Sequence, residues 1–307
     1  MERLVLGSDL PERFRGGIVA LGNFDGFHLG HQRVVGRAVA RAHHEGRPAI
    51  VATFDPHPVR WFRPDAPPFR LTSLDQRQRL FAAAGADAML VFPFDAKLAA
   101  TSAEDFVADL LGRQVGAAGV VTGGDFTFGR NRGGDAARLF SLGAVHGIAA
   151  ETVAALELDG LPVSSSRIRA ALVAGDMATA THLLSRPYAI DGVVAHGDKR
   201  GRTLGYPTAN LVLGDFQRPA YGIYAVRARL ADGTEIPGVA SLGIRPTFEP
   251  PVELLETFLF DWSGDLYDQP LEVALHAFLR PEAKYDGLDA LTAQMRADEA
   301  EARKILT

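Results

Sequence analysis

The sequence predicts an α/β protein of two domains, in which a parallel-sheet domain is followed by a small antiparallel β-barrel with a C-terminal helix. The 307 residues exceed what one ordinary core requires. From about Gly16 to Leu184, short apolar runs alternate with helical patterns, which is typical of a parallel sheet covered on both faces. Beyond this segment, apolar and polar residues alternate with a period of two, which favours short antiparallel strands. The change near Ser185–Pro187 predicts domains at 1–185 and 186–307.

Strand–helix alternation predicts four strands and three helices in the first domain. Continuous apolar runs typical of buried strands are GIVALGNF (17–24), PAIVATF (48–54), ADAMLVFPF (86–94) and AAGVVTGG (117–124). Helical patterns are HQRVVGRAVARAHHEG (31–46), SLDQRQRLFAAAG (73–85) and SAEDFVADLLGRQ (102–114). Parallel strands bring their carboxyl ends to one edge of the sheet, where ligands of such sheets bind.

The second domain is predicted from strand patterns and a turn. The alternation in YGIYAVRARLADGTEI (221–236) predicts one apolar face, formed by Tyr224, Val226, Ala228 and Leu230. Asp232-Gly233 in that segment is typical of a hairpin turn. ELLETFLFDW and LEVALHAFLR continue the strand pattern. The final helix is predicted from an apolar stripe of Leu288, Leu291, Met295 and Ile305.

Composition excludes several classes of function. The hydrophobic share of 47% and the charged share of 22% are typical of globular proteins. A net charge of −5 gives no reason to expect a nucleic-acid partner or an anionic membrane surface. The absence of cysteine excludes disulfides and a thiol nucleophile. Because no signal core or apolar run near the ~18 residues of a spanning helix is found, we expect a cytoplasmic protein without a membrane partner.

Two histidines stand where the first strand turns into a helix, in GNFDGFHLGHQ (22–32). A helix N-terminus favours anions, so His28 and His31 together with free N–H groups are suited to a triphosphate. The alternative is a helix-capping loop with incidental histidines. A metal site is disfavoured, because Asp25 is the only nearby carboxylate and no HExxH spacing follows.

The segment TFDPHP (53–58) ends the second strand at the same edge of the sheet. Its two prolines restrict the loop around His57. The pattern indicates either a further residue of the site or only a rigid turn.

The segment VSSSRIRAAL (163–172) begins another helix, with Ser165 or Ser166 as the expected N-cap residue. Arg167 and Arg169 then follow in the first turn, where the helix dipole disfavours each cation by about 0.3–1 kcal/mol. A bound anion would offset that penalty. The alternative is two solvated arginines.

The glycine-rich segment GGDFTFGRNRGG (123–134) is not a Walker A loop, because Arg130-Asn131 stands where Lys-Ser/Thr is required. A glycine-rich loop with Asp125, Phe126 and Phe128 is suited to stacking on a flat heterocycle and to hydrogen bonding with it.

Four motifs in one register resemble the adenylyltransferase module of bacterial bifunctional riboflavin kinase/FAD synthetases. They are Gly-x-Phe-Asp-Gly-x-His-x-Gly-His from Gly22, Thr-Phe-Asp-Pro-His-Pro from Thr53, Gly-x-Asp-Phe-x-Phe-Gly from Gly123 and Ser-Ser-Ser-Arg-Ile-Arg from Ser164. The resemblance implies a Rossmann-like nucleotidyltransferase domain that transfers AMP from ATP to FMN, giving FAD and pyrophosphate.

The same resemblance implies roles for individual residues. His28, His31 and Arg169 are implied to contact the ATP phosphates. Asp125, Phe62 and Phe128 are implied to hold the flavin. The other residues implied to bind the nucleotide or line the site are Gly22, Asn23, Phe24, Asp25, His57, Ser164 and Arg167.

In the second domain, HGDKRGRTLGYPTANL (196–211) combines glycines and cations with a compact Pro-Thr-Ala-Asn. Thr208 and Asn210 lie two residues apart, so an extended segment turns both toward one side, where they could share a metal or a phosphate. The basic residues of this segment, expected to contact phosphate from a flexible lid, are Lys199, Arg200 and Arg202. The alternative is an ordinary long loop with a solvated basic run.

Glu256 shares a strand face with Leu254, Phe258 and Phe260. An acid on an apolar face is poorly hydrated in its charged form, which makes it a better proton acceptor. This pattern indicates either a general base or an edge strand with one polar residue turned outward.

These features resemble the riboflavin kinase module of the same family, whose signature Gly-Arg-x-Leu-Gly-x-Pro-Thr-Ala-Asn is complete from Gly201 to Asn210. The resemblance implies that Glu256 is the base for the ribityl hydroxyl and that Thr208 and Asn210 serve the Mg²⁺–ATP phosphates. Gly201, Arg202 and Pro207 are implied to bind the nucleotide as well. GVASLGIRPTF (238–248) and FLRPEAKYDGL (278–288) extend the likeness over nearly the whole chain.

Three residues depart from the family pattern, which usually has asparagine at Ser241, histidine at Phe258 and glycine at Asp268. The resemblance nevertheless implies two consecutive ATP-dependent reactions, from riboflavin to FMN and from FMN to FAD, with ADP and pyrophosphate as products. One alternative is an FMN adenylyltransferase with a degenerate kinase module. Another is a non-catalytic flavin-binding regulator.

Overall fold

The computed structural model describes residues 1–7, 10–196, 206–245 and 252–307. These residues form two compact units. The first unit comprises residues 1–67 and 74–164, and the second comprises residues 68–73 and 165–307. In chain order they carry the parallel sheet and the antiparallel barrel that the sequence predicts.

The first unit is built on a six-stranded parallel sheet. Its strands are β1 (Glu2–Val5), β2 (Ile18–Leu21), β3 (Ala49–Asp55), β4 (Ala88–Pro93), β5 (Gly119–Gly123) and β6 (Ala149–Val153). They lie in the order β1-β4-β3-β2-β5-β6, and all neighbours are parallel. The four predicted strands are confirmed as β2 to β5. The sequence does not predict β1 and β6, because these partly exposed edge strands lack a continuous apolar run.

Burial on both faces of the sheet explains the apolar runs. In β2, Val19 and Leu21 pack into one hydrophobic cluster, while Ile18 and Ala20 pack into the other. The helices of this unit are α1 (Leu29–Glu45), α2 (Pro58–Phe62), α3 (Leu74–Ala83), α4 (Ala96–Ala100), α5 (Ala103–Asp105) and α6 (Ala136–Val145). A π-helical segment, Phe106–Val115, continues α5, and a short hairpin of β7 (Glu157–Leu158) and β8 (Leu161–Pro162) precedes the end of the unit.

The strand order reverses at β2, which has β3 on one side and β5 on the other. Ligands of such sheets bind outside the carboxyl ends of the strands at this switch point. The helix α1 begins at Leu29, so the loop that connects β2 with α1 lies there. This position confirms the expected placement of the two histidines at a strand–helix junction.

The second unit contains a six-stranded antiparallel sheet. Its strands are β9 (Tyr188–Val193), β10 (Thr208–Val212), β11 (Gly222–Arg229), β12 (Glu235–Arg245), β13 (Val252–Leu259) and β14 (Pro270–Arg280). Their order is β10-β13-β12-β11-β14-β9, and a bridge between Ala195 and Asn210 joins the two ends into a barrel. The predicted hairpin between β11 and β12 is confirmed: Leu230 N–H donates to Thr234 O at 2.9 Å, and Gly233 takes a φ of +88°.

The C-terminal helix α9 (Leu288–Leu306) is present, but the predicted apolar stripe is partly wrong. Leu288 is 64% exposed and Ile305 is 43% exposed. The buried side chains of the helix are Asp298, Ala302 and Leu306. The prediction of the buried face fails in part because the helix buries a carboxylate. That carboxylate, of Asp298, has an arginine partner in the barrel.

Two further helices, α7 (Ser165–Ala174) and α8 (Met177–Leu184), belong to the second unit and precede the barrel strands. Leu172, Leu183 and Leu184 are buried there, and Leu172 O accepts a hydrogen bond from Ala220 N–H at 2.9 Å. The predicted domain boundary at 185/186 stays a prediction. The structure adds that both helices are part of the core around the barrel.

This packing predicts how fragments of the second unit behave. We expect residues 165–307 to fold with a higher denaturation midpoint than residues 187–307, because the shorter fragment lacks the leucines of α7 and α8. Truncating one buried leucine typically costs about 2–5 kcal/mol. Urea unfolding followed by circular dichroism measures the difference. Equal midpoints would show that the two helices contribute nothing to the barrel core.

Candidate active sites

The two predicted histidines of the first unit stack on each other. Their ring centroids are 3.6 Å apart and the planes differ by 19°. His28 is the N-cap residue of α1, and its Nδ1 accepts a hydrogen bond from the backbone N–H of His31 at 3.3 Å. Helix capping and the stacked histidine pair therefore occur together, because His28 caps the helix through Nδ1 and also stacks on His31.

The loop before α1 has an unusual backbone that shapes this site. Phe24 and Phe27 both have positive φ values, of 50° and 43°, which are uncommon for bulky residues. Both rings are buried, and Phe24 meets the His31 ring edge-on at 5.3 Å. A Cβ on Gly30 would lie only 3.1 Å from Cε1 of His28, so glycine here lets the imidazole approach the helix. The strain marks this loop as a candidate site.

Asn23 and Asp25 lie in the same loop. Asp25 is almost fully buried, whereas Asn23 is partly buried. Oδ1 of Asn23 is buried and has no hydrogen-bond partner within the part of the chain that the structure describes. A buried amide oxygen of this kind is normally satisfied, so Asn23 is a candidate for contact with a ligand. The space around Gly22 is also small, since a Cβ there would lie 3.0 Å from the Phe24 ring.

Arg77 is a part of this site that the sequence motifs do not identify, and it contacts Thr53, the first residue of the TFDPHP motif. Thr53 Oγ1 donates to the backbone oxygen of Asn23 at 2.7 Å, and Arg77 Nη1 donates to Thr53 Oγ1 at 3.0 Å. Arg77 lies on α3 and is only 1% exposed. One signal is present in the sequence, because Arg77 stands between Leu74 and Phe81 at the spacing of a buried helix stripe.

His57 and Phe62 follow the end of β3. His57 is the N-cap residue of α2, and its Nδ1 accepts from Val59 N–H at 3.2 Å. The peptide bond between Asp55 and Pro56 is cis. Phe62 is 65% exposed and makes an edge contact with Phe94 at 5.7 Å. An exposed ring next to the ligand edge of the sheet is available for stacking. This agrees with the predicted flavin contact of Phe62, which stays a prediction.

The glycine-rich segment after β5 contains two residues that are predicted to contact flavin, and they differ in burial. Asp125 is exposed. Phe128 is buried in the core, with its ring 5.2 Å from Phe106 and 5.9 Å from Phe126. A Cβ on Gly134 would lie 2.6 Å from the Phe128 ring, which explains that glycine. The structure gives Phe128 a packing role, and its predicted contact with flavin remains untested.

In the serine–arginine motif, the helix begins one or two residues earlier than expected. Helix α7 starts at Ser165, so Ser164, and not Ser165 or Ser166, precedes the helix. Arg167 lies in the first turn, whereas Arg169 lies in the second. Arg169 Nε donates to Phe69 O at 2.7 Å, with its guanidinium 5.3 Å from the Phe69 ring centre. Both arginines are partly buried, which argues against the alternative of two solvated side chains.

The barrel brings the predicted kinase residues of β10 and β13 together. Asn210 lies directly opposite Glu256, and Thr208 lies opposite Phe258. Residues that face each other across an antiparallel pair share one face of the sheet. Ser241 of β12 faces Glu256 from the other side. The alternative of an edge strand is wrong, because β13 lies between β10 and β12.

Two cavities meet at Thr208. The turn cavity, of about 410 Å³, is lined by Pro207, Thr208 and the turn 262–267. The helix cavity, of about 390 Å³, is lined by Thr208, Glu256 and residues of α9 that include Leu291 and Met295. Thr208 therefore stands between a polar turn and a largely apolar pocket that contains the predicted base.

A partly buried ion pair fixes α9 over the helix cavity. Asp298 accepts hydrogen bonds from Arg280 Nε at 2.8 Å and from Arg280 Nη2 at 2.6 Å. Gln294 Nε2 donates to the same carboxylate at 2.9 Å. The hydrogen bonds to Asp298 raise the pKa of the Arg280 guanidinium. This contact orients the helix that supplies Leu291 and Met295.

Gly201 and Arg202, like Lys199 and Arg200, lie outside the described residues. The predicted phosphate contacts and the lid formed by this segment stay predictions.

Comparison with known proteins decides the family. Residues 10–167 match the family model described as FAD synthetase, and residues 184–306 match the model described as riboflavin kinase. A bifunctional riboflavin kinase/FMN adenylyltransferase of Pseudomonas fluorescens is 40% identical over 298 residues, which are 97% of this chain and 95% of the relative. The relative of that name in Escherichia coli K12 is 37% identical and covers 94% of this chain and 92% of its own length. The chain belongs to the bifunctional riboflavin kinase/FMN adenylyltransferase family.

A crystal structure has the same fold as this family member. It is named as a macrolide-efflux protein from Streptococcus pneumoniae, with a TM-score of 0.86, 30% identity and 99% coverage of both chains. In the described part of this chain, no helix combines the length and the apolar character needed to cross a membrane.

Three positions of this family member depart from the expected pattern, and the structure shows the surroundings of each. Ser241 Oγ lies 3.4 Å from a carboxylate oxygen of Glu282. Phe258 packs against Tyr206 with ring centroids 4.7 Å apart. Asp268 has a φ of 60°, in the left-handed region that glycine adopts without strain. This backbone conformation explains why the family usually has glycine at this position.

Proposed function

We propose that this chain phosphorylates riboflavin to FMN in its second unit and transfers AMP from ATP to FMN in its first unit, giving FAD and pyrophosphate. The observation that carries the proposal is the juxtaposition of Asn210, Glu256 and Ser241 across three strands, with Glu256 and Ser241 in the wall of one cavity. A binding module has no need of a carboxylate base beside the residues that handle phosphate. The family relationship over both units supports the same two activities.

The two cavities of the barrel suggest how the kinase substrates are arranged. The apolar walls of the helix cavity suit the flat flavin ring, and its ribityl chain then reaches Glu256. The turn cavity holds the nucleotide, with its terminal phosphate at Thr208, the residue that both cavities share. Glu256 accepts the proton of the ribityl hydroxyl as that oxygen attacks the phosphorus.

The residues next to Glu256 fit the magnesium ion that ATP carries. Oδ1 of Asn210 is buried, and it has no hydrogen-bond partner in the portion of the chain that the structure describes. Amide and hydroxyl oxygens are hard ligands of the kind Mg²⁺ takes, so Asn210 and Thr208 would hold it. Among the described residues no group of three or more His, Cys, Asp or Glu could bind a metal, so phosphate oxygens and water would complete the shell. When bound, Mg²⁺ neutralises charge on the phosphates.

In the first unit, the hydrogen bond to Nδ1 of His28 determines its tautomer. Because Nδ1 accepts from His31 N–H, the neutral ring carries its proton on Nε2. His28 then donates from Nε2 to a phosphate oxygen of ATP at the switch point of the sheet. Stacking on His31 restrains the ring in that orientation. The pair stabilises the charge that develops on the phosphates during AMP transfer.

AMP transfer is expected to proceed without a covalent enzyme intermediate. The chain has no cysteine, and no Gly-x-Ser-x-Gly sequence supplies an activated serine. Direct attack by the FMN phosphate requires only positioning and charge stabilisation. ATP that is chiral at the α-phosphorus should therefore yield FAD with inverted configuration, measured by phosphorus NMR. Net retention would indicate two displacements and contradict this mechanism.

One assay tests the proposed function against its alternatives. The purified chain is incubated with riboflavin and Mg²⁺-ATP, and the flavins are separated by chromatography. We expect FMN to appear first and FAD after it. Conversion of supplied FMN but not of riboflavin would support an adenylyltransferase with a degenerate kinase module. Flavin binding without conversion would support a regulator. The cytoplasm, where ATP is available to both reactions, is the compartment we propose.

A further inference from the structure

Arg77 is the largest fully buried side chain of the described residues, and it lies at the ligand edge of the parallel sheet. Its Nη1 donates to Thr53 Oγ1 at 3.0 Å and lies 3.4 Å from the backbone oxygen of Asn23. Thr53 donates its own proton to that same oxygen at 2.7 Å. One carbonyl, that of Asn23, is thus held by a side chain from β3 and a side chain from α3.

The same helix supports the loop through an aromatic contact. Phe81 lies four residues after Arg77, so the two side chains share one face of α3. The Phe81 ring packs edge-on against Phe27 at 5.0 Å and Phe24 at 5.9 Å. Phe24 in turn contacts His31. Helix α3 therefore contacts both ends of the strained loop that ends in the two histidines.

We infer that Arg77 and Thr53 are positioning residues for AMP transfer, which hold the Asn23 carbonyl and thereby set the place of the histidine pair. This inference rests on the proposed function of the first unit. Two phenylalanines at positive φ do not keep this conformation by local preference, so tertiary contacts must impose it. A guanidinium can bond two oxygens at fixed angles, whereas a lysine ammonium cannot reproduce that geometry.

The test compares Thr53→Val, which removes the hydroxyl at nearly constant shape, with Thr53→Ser, which keeps it. Arg77→Lys tests the second member of the contact, and Arg79→Lys on the exposed side of α3 is its matched control. A small displacement of a reacting group typically lowers turnover by about 10²-fold. We therefore expect Thr53→Val and Arg77→Lys to lower kcat for FAD formation by about 10–100-fold. Thr53→Ser and Arg79→Lys should stay near wild type.

Two readouts separate positioning from a general loss of structure. Riboflavin kinase activity, measured on the same samples, should not change. Nitrogen NMR of the imidazole rings should show an altered Nδ1 signal of His28 in Thr53→Val and an unaltered one in Thr53→Ser. Wild-type FAD formation with normal kcat in Thr53→Val would overturn the inference. A wild-type chain that forms no FAD would overturn the proposed function instead. If Arg77→Lys fails to fold, the two threonine variants decide the outcome.

Discussion

Replacing Glu256 with glutamine is expected to lower the turnover of riboflavin phosphorylation by about 10²–10⁴-fold, the usual contribution of a positioned general base. A ribityl hydroxyl is a weak nucleophile and must lose its proton as it attacks. Glu256 lies at the wall of the helix cavity, between Asn210 and Ser241 in register. Glutamine keeps the size of the side chain and removes its ability to accept the proton.

Binding of Mg²⁺-ATP should change little in Glu256→Gln, because Thr208 and Asn210 remain. FAD formation from supplied FMN should be normal, since that chemistry belongs to the other unit. Initial rates with each flavin, measured by chromatography, check both statements. The matched control is Glu253→Gln on the same strand. Its carboxylate bonds Arg218 at 2.6 Å and does not line the helix cavity. Near-wild-type kinase turnover in Glu256→Gln would assign the base role to another group.

Removing either stacked histidine should abolish most FAD formation and leave FMN formation intact. Loss of one preorganised donor to a developing charge typically lowers kcat by about 10²–10³-fold. His28→Ala has a second effect, because it also removes the cap that accepts the His31 N–H. We therefore expect His28→Ala to lower the thermal midpoint of the first unit and His31→Ala to leave it closer to wild type.

The control for these variants is His44→Ala, at the exposed end of the same helix. It should retain both activities. The measurement is conversion of FMN to FAD and of riboflavin to FMN in parallel, with calorimetry for the midpoint. A folded histidine variant that loses both activities would contradict the division of the chain into two independent sites.

Much of the fold follows from local pattern. Continuous apolar runs identify β2 to β5, because strands covered on both faces exclude polar residues. Period-two alternation and Asp232-Gly233 identify the β11–β12 hairpin. The edge strands β1 and β6 are absent from that prediction, since an exposed edge tolerates polar residues and carries a weak pattern.

In the candidate sites as well, the sequence indicates some features and the tertiary structure alone shows others. Motif and position along the chain indicate His28, His31, Thr208, Asn210 and Glu256 from the sequence alone. Whether Glu256 faces solvent or a cavity depends on β13 being an interior strand, which is a matter of pairing between distant segments. The sequence indicates Phe128 as a flavin contact in a glycine-rich loop, and only the tertiary structure shows that Phe106 packs on its ring.

The sequence by itself determined the two-domain α/β architecture, the family resemblance and the chemical types of the site residues, because these depend on residue identity and local period. Only the tertiary structure decided that Arg77 is buried, that Asn210 and Ser241 flank Glu256, and that α9 turns Asp298 inward. The physical reason is that a buried polar side chain is stable only with its partner. That partner, Thr53 for Arg77 and Arg280 for Asp298, comes from a distant strand.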